Sequence, residues 1–357
     1  MMLEETIKTI QRLNPEYRAL ARAKLDRLTK PIGSLGRLEE LATHYAAISG
    51  EICPTLPKTM VFTLAADHGI AADGVSAYPS SVTAQMVHNF LSGGAAINVL
   101  ARQVGSEVRI VDIGVASDFD HSPDLLMRKV GWGTKNFVNG PAMSRDEALQ
   151  SVETGIELVH DAYGEGVRMV ATGEMGIGNT TSSAAITAVM TRQPVSQVTG
   201  KGTGIDDAAL ARKVSLIERA LHLNEPLPHD SLDVLAKVGG FEIGGLVGVI
   251  LGGAACHMPV VLDGFISGAA ALLAVGMVPA CREYLIASHA SGEPGHRVAL
   301  DELGLHPLLD LELRLGEGTG ACLAIGLIQS SLRLLTEMAT FDEAGVDDAG
   351  HSQQEDA

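Results

Sequence analysis

Five short apolar runs recur along the middle of this chain, and each of them stops at a polar or glycine-rich segment. The runs are Thr59 to Ala65, Val108 to Val111, Val167 to Ala171, Pro259 to Leu262 and Tyr284 to Ala287. The stretches with helical character between them are Val82 to Leu100, Ser144 to Tyr163, Thr180 to Thr191, Asp206 to Leu223 and Phe241 to Ala255. Continuous apolar strands that alternate with helices predict an α/β fold, with a doubly wound, mainly parallel sheet covered by helices on both faces.

The sequence after each run predicts where a ligand binds. The five runs lead into AADHG, DIG, TGEMGIGNTT, DGF and SHASGEPG. In open parallel sheets, ligands bind outside the carboxyl ends of the strands. Since all five ends carry polar or glycine-rich sequence, we expect an active site along this edge of the sheet.

The two ends of the chain lack this strand pattern. Tyr17 to Leu28 has helical periodicity, and Ser34 is expected to cap a second helix that follows it. Near the other end, Thr319 to Met338 is apolar enough for a buried helix. We therefore predict a small helical domain from residues 1–55 and 305–340, a large α/β nucleotide-binding domain from 56–304, and an acidic, disordered tail from 341–357.

Composition limits the partners and the compartment. The formal net charge of −17 over 357 residues argues against binding to nucleic acid or to an anionic membrane surface. The N-terminus has no signal-peptide core, and no stretch of about 18 uncharged apolar residues suggests a membrane span. We expect a cytoplasmic protein. The four cysteines form no CxxC pair and are expected to be buried free thiols: Cys53, Cys256, Cys281 and Cys322.

The segment RLGEGTGA places Glu317 between two glycines, directly before the apolar run that begins at Thr319. Burial raises the pKa of a carboxyl group and makes its ionised form a better base near neutral pH. Glu317 is therefore a candidate general base. An exposed glutamate in a glycine-rich turn is the alternative interpretation of this segment alone.

Two further glycine-rich segments precede predicted helices. In GEMGIGNTT, Gly176 lets backbone approach a ligand at a helix N-terminus, which favours anion binding, and Glu174 supplies a second carboxylate. In KGTGIDD, Gly202 and Gly204 repeat the pattern, with Lys213 two turns further on. An ordinary capped turn explains the first segment equally well. The acid pair of the second follows glycines rather than an aliphatic strand, which argues against a magnesium-pyrophosphate donor.

The histidines do not predict a metal site. His68, His257, His289 and His296 have no partner at i, i+4, and we expect neither a metal nor a cofactor. His68 alone is expected to be structural. The loop around Tyr78 and the helix after it are a plausible wall for a flat apolar ligand, and ordinary packing explains them equally well.

Several of these segments together resemble a known family. They are KPIGSLGRLE, ADHG, VTAQMV, GGAAINVLA, GEMGIGNTT, VGGFEIGGLVGV, LDGF and RLGEGTGA. Their residues and order resemble the nicotinate-nucleotide–dimethylbenzimidazole phosphoribosyltransferases of cobalamin synthesis, from about residue 20 to 340. The resemblance implies transfer of 5-phosphoribose from nicotinate mononucleotide to 5,6-dimethylbenzimidazole, giving α-ribazole 5′-phosphate and nicotinate. It also implies a homodimer whose small helical domain is built from both chain ends.

The resemblance also implies roles for individual residues. Glu317 is expected to be the catalytic base and Glu174 a supporting carboxylate. The expected contacts to the nucleotide phosphate and ribose are Gly176, Gly202, Gly204, Lys213, Ser291 and Arg314. The expected base pocket is formed by Tyr78, Gln85, Met86, Met175 and Leu315. The family pattern has serine and glutamine where this chain has Tyr78 and Met86, so a more apolar pocket could accept other benzimidazoles, adenine or phenolics.

Two other functions fit parts of the sequence. A nucleotide-dependent oxidoreductase would use a similar sheet, but no GxGxxG follows the first strand. A non-catalytic nucleotide-binding or sensing protein would keep the pocket without turnover, and the presence of Glu317 argues against it.

Overall fold

The computed structural model describes residues 2–347. Its strands are β1 (Lys58–Ala66), β2 (Glu107–Gly114), β3 (Leu125–Met127), β4 (Val167–Met175), β5 (Val260–Leu262), β6 (Leu285–Ala287), β7 (His289–Ala290) and β8 (Leu309–Asp310). The first six form one parallel sheet in the order β3-β2-β1-β4-β5-β6, and β7 pairs with β8. This is the strand order of doubly wound dinucleotide-binding sheets. The predicted fold class is confirmed, and all five apolar runs are strands.

The helices follow the predicted alternation, with additions. They are α1 (Met2–Thr9), α2 (Pro15–Leu25), α3 (Arg37–Ser49), α4 (Ser81–Leu91), α5 (Ala96–Val104), α6 (Arg145–Gly164), α7 (Asn179–Thr191), α8 (Val195–Val198), α9 (Asp207–Asn224), α10 (Ser231–Val238), α11 (Phe241–Ala255), α12 (Phe265–Met277), α13 (Pro294–Leu303), α14 (Thr319–Glu337) and α15 (Phe341–Ala344). Short 3₁₀ turns occupy Gly69–Asp73 and Pro279–Tyr284.

Two helix predictions were wrong in detail. The single helix predicted from Val82 to Leu100 is two helices, α4 and α5, because the backbone turns at Gly93 with φ 73°. Ser34 does not cap α3, which begins at Arg37 with Gly36 as its N-cap residue. In both places a glycine with positive φ ends or delays the helix.

The sheet is buried because helices pack tightly on it. Only Lys58 of β1 is exposed, and the rest of that strand is buried. α11 packs on β1, β2 and β4, and α6 packs on α11. Glycines permit this second contact, since a Cβ at Gly155 of α6 would overlap the carbonyl oxygen of Gly245 in α11. α11 is therefore a core helix, buried from Phe241 to Ala254.

The chain divides into two compact units whose boundaries differ from the predicted domains. Among the described residues, the larger unit contains 2–12 and 58–324, and the smaller unit contains 13–57 and 325–347. Residues 2–12 and 305–324 thus belong to the larger unit, although they were expected in the small domain. The core of the smaller unit is formed by Ala21, Leu25, Leu28, Ala42, Ala46 and Leu335.

The expected disordered tail was partly wrong. Phe341–Ala344 forms α15, and the Thr340 side chain caps it by accepting the Glu343 N–H. The part of that prediction covering 348–357 lies outside the described residues. Cys53 is exposed and Cys256 is only half-buried, contrary to the expectation of buried thiols, although all four cysteines are free as expected.

α14 is the one helix within residues 2–347 that is long and apolar enough to cross a membrane by length and composition. In the structure, 56% of the most apolar 18-residue stretch of α14 is buried inside the protein. Such burial is typical of a core helix.

Candidate active site

The turn before α14 is an unusual run of left-handed backbone. Gly316, Glu317 and Gly318 have φ of 87°, 66° and 99°. The Glu317 carbonyl accepts a hydrogen bond from the Thr63 hydroxyl of β1 at 3.0 Å. A Cβ at Gly173 of β4 would overlap the same carbonyl oxygen, so glycine is needed there too. The turn is therefore fixed against the two central strands.

Asp263, which follows β5, holds the other side of this turn. Its two carboxylate oxygens accept the N–H groups of Gly318 at 3.2 Å and Ala321 at 3.0 Å. The side chain is buried, and burial raises the pKa of Asp263 to about 7 against the lowering effect of these backbone hydrogen bonds. Asp263 thus caps the start of α14 and fixes the N–H of Gly318, which directly follows the Glu317 carbonyl.

The Glu317 side chain is 5% exposed. One carboxylate oxygen faces the N–H of Ile97, at the start of α5, at 3.5 Å. Burial raises the pKa of Glu317, and the Ile97 N–H lowers it in part. The helix N-terminus favours the ionised form and burial favours the protonated form, so the site suits a carboxylate that accepts and releases a proton.

Glu174 lies at the carboxyl end of β4 and is buried. Its carboxyl group accepts a hydrogen bond from the Asn179 amide. Burial, followed by the nearby acids Glu242, Asp263 and Glu317, raises the pKa of Glu174 to about 8. Glu174 is therefore protonated at pH 7. Glu317 lies beside the Ile97 N–H, which favours its ionised form, so the two carboxyl groups have different environments, and such differences assign different roles.

Glu174 and Glu317 line a cleft of about 400 Å³ within the larger unit. The predicted site residues that line it are Tyr78, Met86, Glu174, Met175, Gly176, Gly202, Ser291, Arg314, Leu315 and Glu317. Residues from the ends of β4, β5 and β6 meet here, as expected from the sequence after these strands. Most of the exposed surface of the cleft is apolar.

Three predicted residues do not line this cleft. Gln85 is exposed on α4, on a different side of the helix from Met86. Gly204 lines an adjoining cavity that shares Gly202 and Arg314 with the cleft. Lys213 is fully buried, and its ammonium donates to the Thr180 hydroxyl at 2.9 Å.

Lys213 therefore supports the cleft from behind rather than facing it. It also donates to the carbonyl of Gly200 at 3.2 Å, which fixes the loop that carries Gly202. Burial lowers the pKa of Lys213 to about 8, and Glu293 opposes this shift. The resemblance implies a contact between Lys213 and the nucleotide, and that contact stays a prediction.

Comparison with known proteins assigns this site to a family. A family described as Phosphoribosyltransferase matches residues 10–346. The chain is 58% identical, over 97% of its length and 98% of the relative, to a nicotinate-nucleotide–dimethylbenzimidazole phosphoribosyltransferase from Geobacter sulfurreducens. A relative of the same name from Chloroflexus aggregans has the same identity and coverage. The chain belongs to the nicotinate-nucleotide–dimethylbenzimidazole phosphoribosyltransferase family.

A solved structure of this family has the same fold. The crystal structure of CobT from Thermus thermophilus matches with a TM-score of 0.89 and 48% identity, over 93% of this chain and 99% of that one. Neither an oxidoreductase nor a sensing protein is indicated by these relatives. The family resemblance expected from the sequence motifs is confirmed.

Several cleft residues of this family member were not predicted from the sequence. They are Val82, Ile177, Asn179, Thr180, Thr203, Gly264, Phe265, Ile266, His289, Glu293 and Gly316. The signal for Gly264 and Phe265 was present, since DGF directly follows an apolar run.

Within residues 2–347, no group of three or more His, Cys, Asp or Glu side chains is arranged to hold a metal ion.

His289 and Glu293 illustrate what was missed. Burial lowers the pKa of His289 to about 4, so the imidazole in the cleft wall is neutral at pH 7. Glu293 accepts the N–H of Gly202 at 2.8 Å and so holds the Gly202 loop. Arg314 donates to the carbonyl of the same glycine at 3.3 Å. The Gly202 loop is therefore held at both the N–H and the carbonyl of Gly202.

Proposed function

We propose that this enzyme transfers the 5-phosphoribosyl group of nicotinate mononucleotide to 5,6-dimethylbenzimidazole, giving α-ribazole 5′-phosphate and nicotinate, and that Glu317 is the base. The observation that carries the proposal is Glu317 itself, buried in an apolar cleft at the carboxyl edge of the sheet. Membership of the family supplies the substrates. The reaction forms part of the assembly of the cobalamin nucleotide loop.

The chemistry needs one proton acceptor. One azole nitrogen attacks C1′ of the ribose, while the bond from C1′ to the nicotinate ring nitrogen breaks and its electron pair neutralises the pyridinium. The other azole nitrogen carries the proton, which passes to Glu317 as the new bond forms. Inversion at C1′, implied by the family, gives the α-anomer. An ionised Glu317 also stabilises positive charge that develops on the sugar.

We propose a role for Glu174 that differs from the one implied by the resemblance. A carboxyl group whose pKa is about 8 is protonated at neutral pH and carries no charge with which to stabilise a cationic sugar in the empty site. We propose that Glu174 acts as a neutral hydrogen-bonding group beside Glu317.

The nucleotide end is proposed to lie along the two glycine-rich loops. Gly176 precedes α7, whose N-cap residue Gly178 offers no side-chain cap, and the N-terminus of a helix favours an anion. Gly202, Ser291 and Arg314 line the same cleft, and Gly204 lines the adjoining cavity. Lys213 adds positive charge from beneath the loop.

The base is proposed to lie against the apolar wall. Tyr78 and Leu315 are 56% and 58% exposed, and both line the cleft together with Met86 and Met175. Large apolar side chains left exposed in a concave site favour a flat, weakly polar ligand. Gln85 is not part of this wall and has no role in the proposal.

We also propose that the enzyme is a cytoplasmic homodimer that acts on small molecules without binding nucleic acid or membrane. The family resemblance supports the dimer, and the net charge of −17 disfavours polyanionic partners.

The test is nicotinate release from nicotinate mononucleotide, with dimethylbenzimidazole, adenine and a phenol offered singly and in competition. Glu317→Gln should slow release by about 10²- to 10⁴-fold, the usual contribution of a general base. Dimethylbenzimidazole should bind the variant nearly unchanged, because the amide keeps the shape of the side chain.

Glu312→Gln is the matched control, since Glu312 also has positive φ but is exposed outside the cleft. It should retain wild-type turnover. Full turnover in Glu317→Gln would show that another group is the base. Nucleotide binding without product, whatever the base offered, would favour a sensing protein.

A further inference from the structure

A buried hydrogen-bonded chain joins three of the sequence motifs but takes no part in the mechanism above. The His68 ring, in ADHG, contacts the Ser182 hydroxyl through Nδ1 at 3.0 Å. Its Nε2 contacts a carboxylate oxygen of Glu242, in VGGFEIGG, at 2.6 Å. The side chains of His68 and Glu242 are both 0% exposed. Ser182 belongs to α7, which begins at the GEMGIGNTT loop.

The hydrogen-bonded side chains of Ser182, His68 and Glu242 lie directly behind the wall of the cleft. A Cβ at Gly176 would be 3.3 Å from the Glu242 carboxylate and 3.3 Å from the His68 ring. Gly176 itself lines the cleft, two residues after Glu174. The His68–Glu242 pair therefore packs against the backbone that carries both the predicted anion loop and a reacting-site carboxyl group.

Glu242 is expected to contribute less to the stability of the fold than an apolar side chain of similar volume would. Its second carboxylate oxygen is buried without a hydrogen-bond partner among the described residues. A buried charge that is incompletely hydrogen-bonded costs free energy, and an apolar residue of similar volume is often more stabilising. An unsatisfied buried group of this kind calls for a functional explanation.

The electrostatic effect of Glu242 falls on Glu174. The titratable groups that act on Glu174 are Glu242 from α11, Asp263 after β5 and Glu317 before α14. Among these three, Glu242 raises the pKa of Glu174 most, second only to burial. His68 is in direct contact with Glu242 at 2.6 Å and holds that carboxylate in place.

Building on the proposed function, we propose that Glu242 and His68 are positioning residues for the transfer. The pair holds the Gly176 turn and places negative charge behind Glu174, so that Glu174 keeps its proton while Glu317 is ionised. The substrate carries a phosphate and a carboxylate, so a neutral Glu174 avoids adding another negative charge to the cleft. It also leaves Glu317 as the single ionised acceptor for the azole proton.

This arrangement gives kcat/KM a bell-shaped dependence on pH. Its acid limb reports ionisation of Glu317, which must accept the proton, and its alkaline limb reports ionisation of Glu174. Glu242→Gln removes the charge behind Glu174 and should move the alkaline limb to lower pH by about one unit, the size of an effect expected from a nearby like charge. The acid limb should move less.

A purely structural role predicts something different for the same variant. It would lower Tm and reduce kcat/KM by the same factor at every pH, with both limbs in place. The double variant His68→Gln/Glu242→Gln separates the two, because two neutral amides can pair without charge. We expect it to regain part of the Tm lost in Glu242→Gln while its alkaline limb stays shifted. Recovery of the limb together with Tm would overturn the proposal.

Ser182→Ala is the matched control, since it removes a contact of His68 but leaves the His68–Glu242 pair. Its alkaline limb should coincide with that of the wild type. Displacement of that limb by as much as in Glu242→Gln would mean that packing of α7, rather than charge, sets the profile.

Infrared spectroscopy tests the same proposal without turnover. The C=O stretching band of a protonated carboxyl group, identified as Glu174 by its loss in Glu174→Gln, should persist in the wild type to about pH 8. It should disappear at lower pH in Glu242→Gln. Loss of the band at the same pH in both proteins would reject the role of Glu242. Absence of product in the wild type with every base would instead reject the proposed function.

Discussion

Glu317 carries a side chain at a backbone conformation that favours glycine. A non-glycine residue in the left-handed region costs about 1 kcal/mol or more relative to ordinary backbone. The structure offsets this strain with two hydrogen bonds from opposite sides, one from Thr63 to the Glu317 carbonyl and one from the Gly318 N–H to Asp263. A glutamate retained at such a position is consistent with a chemical role for its carboxylate.

Asp263→Asn tests how much the position of Glu317 contributes to the rate, because it disturbs the turn that carries Glu317 but leaves the Glu317 carboxylate unchanged. An amide presents only one acceptor oxygen to the N–H groups of Gly318 and Ala321, so one of them loses its partner. We expect kcat to fall roughly 10- to 100-fold, the equivalent of one lost buried hydrogen bond, with a smaller change in KM for the nucleotide. Steady-state nicotinate release measures both constants.

Asp230→Asn is the control for this substitution. Asp230 caps α10 by accepting the Asp233 N–H at 3.1 Å, the same kind of contact at a helix that does not line the cleft. Both variants should lose some stability. Equal losses of kcat in the two would show that Asp263 matters only for folding.

The sequence was informative about residues whose neighbours are local. Glu317 and Gly176 could be placed in a site because glycines flank them and a strand or an apolar run adjoins them. Asp263 and Glu242 were not predicted as site residues, because their partners lie far away in the chain. Glu242 meets His68 across 174 positions, and only the folded sheet brings them together.

At the scale of elements, the strands that lie in apolar runs leading into polar or glycine-rich sequence were predicted, and β3, β7 and β8 were not. Length alone does not explain the difference, because β5 and β6 also contain only three residues each, but each of those two lies in a four-residue apolar run. α12 was missed as well, since its run FISGAAALLAVGM is apolar on every side and shows no helical stripe. Contacts within the sheet, rather than local sequence, define these elements.

The contact of α6 with α11 can be tested through its glycines. Gly155→Ala would place a methyl group on the carbonyl oxygen of Gly245, and neither backbone can move without disturbing the sheet beneath. We expect a loss of about 1–3 kcal/mol in the free energy of unfolding, seen as a lower Tm.

Gly164→Ala supplies the comparison within the same helix. A Cβ at Gly164 meets nothing within 4 Å, and alanine favours the helix by up to about 1 kcal/mol over glycine. Its Tm should stay level or rise. A fall in Tm at both positions would mean that the backbone of α6, not the close contact, determines the outcome.

At the scale of the whole molecule, the active site imposes a pH dependence on stability. Glu174 and Asp263 have folded-state pKa values of about 8 and about 7, raised from 4.5 and 3.8 chiefly by burial. Their stabilising effect is complete below the unfolded pKa values and is lost as pH rises through the folded ones. His289 and His296 act in the opposite sense, because burial lowers their pKa values to about 4 and about 3 from 6.5.

These opposing slopes largely cancel between about pH 4.5 and 6.5, where the unfolded chain binds protons on the two histidines and the folded protein binds them on the two acids. Above pH 6.5 the histidines are neutral in both states and only the acids contribute. The Tm of the wild type should therefore change little between about pH 4.5 and 6.5 and fall from there to about pH 8.

Glu174→Gln removes the contribution of Glu174 to the pH dependence of stability, which spans a wider pH range than that of Asp263. Its Tm relative to the wild type should rise steadily from about pH 4.5 to 8 and then stay constant, because both states of the wild-type glutamate are ionised above that range. Calorimetry in matched buffers measures the difference. Glu218→Gln, at an exposed position on α9, should give a difference that does not vary with pH. A constant difference for Glu174→Gln as well would show that Glu174 is already ionised in the folded protein at neutral pH, and the division of roles between Glu174 and Glu317 would then fail.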